Sequence, residues 1–141
     1  MLGSASLNLA DVWISASVII GFSSTAFAYR IQRELGVDEQ GDETWFPLAD
    51  RLNLTALVVI IGGVFLLPAI GLPDSTAFAQ EALGLGLLLF AGYPFAVVAH
   101  YGFHRKRENR EVTSTSRDER VVVCVVALLA LAYVIAASVG S

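Results

Sequence analysis

All nine Lys and Arg residues of this chain fall in two short segments, and this segregation limits the fold more than any motif does. Arg30, Arg33 and Arg51 lie in the first segment; Arg105, Lys106, Arg107, Arg110, Arg117 and Arg120 lie in the second. Around and between them run four long apolar stretches with no basic residue. Lys and Arg resist translocation, so a chain with this layout keeps both basic loops on the cytoplasmic side of a membrane. The expected fold is an all-α four-helix transmembrane bundle with both termini outside. Spans are expected at about residues 9–29, 52–70, 78–101 and 121–139, with a short outer turn between spans two and three and two charged cytoplasmic loops.

Composition supports a membrane class. Only 16% of the 141 residues are charged and 55% are hydrophobic, whereas a soluble domain carries about a quarter charged residues. The mean hydropathy is +0.66. One integral membrane domain, residues 1–141, is expected. Acids and bases share the same loops and the net charge is −4, so there is no basic face for nucleic acid. Cys124 is the single cysteine, which excludes an intrachain disulfide or a CxxC redox pair. Ala26-Phe27-Ala28 imitates a signal-peptidase site. The first ten residues carry no positive charge, however, and Asp11 stands at the front of the apolar run, so an uncleaved first span is expected.

About 21 residues at 1.5 Å each give span one a length of about 31 Å, enough to cross the hydrocarbon core. Ser6, Asn8 or Asp11 can cap its start, and Trp13 lies where an interfacial anchor belongs. Ser17, Gly21, Ser24 and Ala28 follow i, i+4, i+7, i+11 and form a small-residue stripe, the usual mark of close helix approach in lipid. Ser15, Ser23 and Thr25 make this span polar for its class; their hydroxyls can bond back to the carbonyl one turn earlier. A second stripe, Ala132, Ala136 and Gly140, marks span four. Span three holds Gly84, Gly86, Gly92 and Pro94, and a kink is expected near Pro94, which frees the carbonyl of Phe90. Ser15, Ser17, Gly21, Ser24, Gly92 and Pro94 are therefore the candidates for a pathway or for helix packing.

Each half of the chain reads as a span, a basic extension, a polar loop, and an acid–Arg pair entering the next span: Asp50-Arg51 in one half, Glu119-Arg120 in the other. Such a layout fits a parallel repeat about an axis along the membrane normal. It also fits any alternating four-span chain, so duplication stays open.

Few residues offer chemistry. His100 and His104 are four apart and share a helix face, with Glu108 one further step along; this is the candidate metal set. An interfacial helix end explains the same residues without a metal. Arg105, Lys106, Arg107 and Arg110 are candidates for anionic lipid headgroups. Asp11, Asp74 and Glu81 sit at predicted boundaries, and no ionisable residue is expected at the midplane, which counts against a proton- or ion-coupled transporter. No cofactor is expected; two histidines on one span cannot ligate a haem across two helices. Arg51 and Asn53, with the chain length and the four-span layout, resemble the small four-span glutathione- and eicosanoid-metabolising membrane family. Thr55 and Ala56 stand where its acidic partner would be sought, and the second loop is longer and more charged, so the chain is left outside that family.

The function expected from sequence is non-enzymatic: a homo-oligomeric channel or transport pathway, or a subunit of a membrane complex. Membrane lipid and a second copy or another membrane subunit are the expected partners, and the cell membrane is the expected location. The alternative is a small membrane enzyme with its site at the cytoplasmic interface, built from Arg30, Arg51, Asn53, Tyr101 or His104.

Overall fold

The computed structural model describes residues 8–38, 46–71, 75–101 and 116–140. These form α1 (Leu9–Asp38), α2 (Leu48–Ala69), α3 (Ser75–Tyr101) and α4 (Arg117–Gly140). Their candidate spans are 25, 22, 26 and 23 residues long, each long and apolar enough to cross a bilayer. The helices alternate in direction. The end of α1, the start of α2, the end of α3 and the start of α4 meet at one pole, called here the loop end; the opposite pole is the terminal end. Among the described residues α3 packs against all three other helices, and α1 and α4 do not touch.

The observed helices outrun the expected spans. The second begins at Leu48 rather than near residue 52, and the fourth at Arg117 rather than near residue 121. In both cases the extra turn carries an acid, Asp50 or Glu119, that looks like loop sequence but is turned into the bundle, where both residues are almost wholly buried. Caps fix the starts. The Asn8 side chain accepts the Asp11 N–H at 2.9 Å, as the sequence expected of this cap. Ser116 Oγ accepts the Glu119 N–H at 3.0 Å and starts α4. Pro47, extended at φ −61° and ψ 160°, precedes the first turn of α2.

α3 stays helical through Pro94, which faces outward and has no N–H to give the Phe90 carbonyl, while Phe90 itself is half-buried against the loop-end core. The irregular segment is in α2, where residues Ile61–Leu66 form a π-helical turn. Pro68 explains it. A proline cannot give an N–H to the carbonyl four residues back, and its ring crowds that carbonyl. Widening the helix relieves the crowding, and the Leu67 N–H reaches the Gly62 carbonyl. The carbonyl that Pro68 leaves is that of Val64, and the Trp13 indole Nε1–H donates to it at 3.1 Å. Trp13 thus ties α1 to α2, and its ring stacks on Phe65.

Two apolar clusters fill the bundle. At the terminal end Val12, Ala16, Ile60, Val64, Ala79, Ala82 and Leu83 pack together. Toward the loop end Ala49, Leu52, Ala56, Leu89, Ala96 and Val126 do so. Glycines allow these close approaches: a Cβ at Gly63 would strike Ala82, one at Gly86 would strike Ile60, and one at Gly92 would strike Val126. In lipid, where helices gain little from hydrophobic burial, such contact supplies much of the association energy.

Candidate functional site

The polar side chains of the bundle gather at the loop end, where two acids each meet a residue from the helix before. Arg30, on the last membrane turns of α1, gives its Nε–H to Asp50 Oδ2 at 2.8 Å. His100, near the end of α3, gives its Nδ1–H to Glu119 Oε2 at 2.9 Å. Asp50 and Glu119 both lie in the first turn of their helices, where the macrodipole favours negative charge. The neighbouring Arg51 and Arg120 face outward. The acid–Arg pairs of the sequence therefore divide the same way in each half: acid in, guanidinium out.

Glu119 does more than close its own hairpin. Its Oε1 accepts the Ala49 N–H at 2.9 Å, one of the donors that the start of α2 cannot satisfy within the helix. One carboxylate thus holds the start of α2, the end of α3 and the start of α4. Ser116 adds a fourth tie by donating its hydroxyl to the Ala99 carbonyl at 3.0 Å. The other ring nitrogen of His100, Nε2, is buried and meets no hydrogen-bond partner among the described residues.

Around the first pair, Tyr101 brings two cations together. Arg30 and Arg33 both donate to its phenolic oxygen. The Arg33 guanidinium carbon stands 4.5 Å from the ring centroid and that of Arg30 5.5 Å, both at cation–π range. Deeper along α2, the Asn53 side-chain amide donates to the Ser23 carbonyl at 3.1 Å, and the Ser23 hydroxyl donates back to Asn53 Oδ1. Both residues are wholly buried, so α1 and α2 are cross-linked within the span.

The residues singled out from sequence divide clearly. Arg30 and Tyr101 come together, Asn53 pairs with Ser23 deeper in the bundle, and Arg51 turns outward to stack near Phe46. Ser15, Ser17, Gly21 and Ser24 lie on the outer face of α1. Ser17 and Thr25 bond back to the carbonyls of Trp13 and Gly21, as expected of spanning hydroxyls, whereas Ser23 does not and instead turns inward. Gly92 packs within the bundle and Pro94 faces out. His104, Arg105, Lys106, Arg107, Arg110 and Glu108 lie outside the described residues. His100 points to Glu119, and no group of three metal-ligating side chains occurs among the described residues. Asp50, Glu119 and Ser116 were not singled out as inward-facing. The available signal was a base or His near the end of one span followed about twenty residues later by an acid starting the next.

Fold and site together define a class: a small all-helical protein with four helices fit to span a membrane and a buried polar tie at one pole, the make-up of a multi-pass membrane protein. No family model matches the chain, and no curated protein and no solved structure matches it either.

Proposed function

We propose that the chain is a non-enzymatic subunit of the cell membrane that works by associating with other membrane helices, either copies of itself around a shared pathway or a different subunit. In this reading the termini lie outside and the loop end faces the cytoplasm. Arg30, Arg33, Arg51, Arg117 and Arg120 all gather at that end, as the preference of basic residues for the cytoplasmic face requires.

The carrying observation is a contrast between glycines. Gly63, Gly84, Gly86 and Gly92 are each filled by a neighbour from this chain, whereas a Cβ at Gly21 would meet nothing within 4 Å. The stripe of Ser17, Gly21, Ser24 and Ala28 faces away from the bundle, so the helix that it suits is not one of its own chain. A pathway inside a single chain has no support: Ser15 and Thr25 face outward, Ser23 is bonded to Asn53, and the terminal half of the core is apolar. Conduction would have to run between chains.

The enzyme reading draws on Arg30, Asp50, Asn53 and Tyr101. Arg30 bonds Asp50 and Tyr101, and Asn53 bonds Ser23, so these side chains tie helices together, which favours a structural role over a substrate site. Gly21→Leu tests the proposal. It should reduce the oligomer or complex mass in mild detergent, while Val18→Leu, exposed on the same helix but off the stripe, leaves it unchanged. Identical masses for wild type, Gly21→Leu and Val18→Leu by light scattering would remove the basis of the proposal.

A further inference from the structure

The terminal half of the bundle has a groove of about 560 Å³ between α2, α3 and α4 that the association reading does not use. The π-turn of α2 forms one wall through Gly62, Gly63 and Leu66, and Val134 of α4 forms the opposite wall. Val58, Leu66 and Val134 are well exposed, so the groove opens on the outside of the bundle. Its polar side chains are few: the carboxylate of Glu81, the hydroxyl of Tyr133, and the hydroxyl of Ser138, which donates to the Val134 carbonyl. Tyr133 lies across α3 at Gly84, where a Cβ would strike its hydroxyl. Gly84 is one turn from Glu81 on the same helix face.

Glu81 is half-buried and makes no hydrogen bond or ion pair among the described residues. The described basic residues all lie at the opposite pole of the bundle. A carboxylate in apolar walls at a membrane boundary is costly without a counter-charge. Tyr133 can lend a hydrogen bond but no positive charge. Phe78 and Tyr133 add ring faces, and ring faces beside a carboxylate attract a weakly hydrated cation. The remaining apolar walls suit a hydrophobic body.

We propose that this groove binds an apolar monovalent cation, an ammonium group carried on a hydrophobic body. The charge sits at Glu81 between Phe78 and Tyr133, and the body lies along Val58 and Val134. Either a lipid amine headgroup or a free amphiphilic amine would present this chemistry.

The test uses the full chain in neutral maltoside micelles with radiolabelled tetraphenylphosphonium as probe. Wild type should show one saturable site per chain. Glu81→Gln should weaken it about tenfold or more, a typical effect for losing one charged contact. Val134→Trp fills the groove but keeps the carboxylate, and should abolish binding. Asp11→Asn removes an exposed acid at the same pole and should bind as wild type does. Circular dichroism and elution volume establish folding of each variant, and Val134→Trp carries the test if Glu81→Gln fails to fold. Native mass spectrometry after exposure to phosphatidylethanolamine or phosphatidylglycerol separates the sources. Retention of the amine lipid, lost in Glu81→Gln, assigns a headgroup; displacement of the probe by dodecyltrimethylammonium with no lipid retained assigns a free amine. Absence of a saturable site, equal binding by Glu81→Gln, or a groove covered by a second copy and cross-linked through Val134→Cys would each overturn the proposal.

Discussion

The two pairs that close the hairpins use the same plan with different consequences. In α1–α2 the pair is Arg30–Asp50, with side-chain exposures of 11% and 2%; in α3–α4 it is His100–Glu119, with 1% and 0%. The first lies at the rim. Its guanidinium is always charged, reaches Tyr101 as well as Asp50, and can take water if Asp50 is lost. The second is sealed, and its carboxylate also holds a backbone donor from the other hairpin. Across the hairpins the rim pair reaches only a side chain, through Arg30 to Tyr101, whereas the sealed carboxylate itself holds the backbone start of α2 against α3 and α4.

The largest effect should follow Glu119→Ala. It leaves the His100 ring and the Ala49 N–H buried without an acceptor, and removing one member of a buried pair costs about 3–5 kcal/mol. Reversible unfolding in mixed micelles should show that loss; a change near zero would mean that the sealed pair is no tie at all. Asp50→Ala should cost less, about 1–3 kcal/mol, because Arg30 keeps Tyr101 and partial access to water. An equal or larger loss than for Glu119→Ala would reverse the ranking of rim and seal. The smallest effect belongs to Trp13→Phe, which keeps the ring against Phe65 but removes the donor to the Val64 carbonyl. About 1 kcal/mol is expected, with faster hydrogen exchange confined to the π-turn of α2. Exchange unchanged there would break the link between Pro68 and Trp13.

The four helices were legible because nine basic residues mark the loops by their position alone. Their ends were less so. Asp50 and Glu119 carry acidic side chains, and a spacing of about twenty residues from Arg30 and His100 does not by itself tell an acid that turns inward to a partner from one that faces water. Pro68 and Pro94 each remove a helix donor. At Pro68 the backbone widens and the Trp13 indole from α1 reaches the freed carbonyl, while α3 stays helical through Pro94. Which freed carbonyl meets such a donor depends on the tertiary placement of Trp13. The outward face of Gly21 was visible as a stripe, but its lack of a partner within the chain required the packed bundle to see. The Glu81 groove gave no sequence signal, because its wall depends on the widened turn of α2.

The central claim is that Glu119 holds α2 against α4, whereas Asp50 ties α1 to α2. The native Cys124 on α4 is exposed and takes one spin label; Thr55→Cys on the outer face of α2 takes the other. Distance distributions between them, by double electron–electron resonance, read the placement of α2 against α4. A narrow distribution in the otherwise native chain that broadens in Glu119→Ala and stays narrow in Asp50→Ala is the predicted result. A distribution unmoved by Glu119→Ala, or broadened as much by Asp50→Ala, would contradict it.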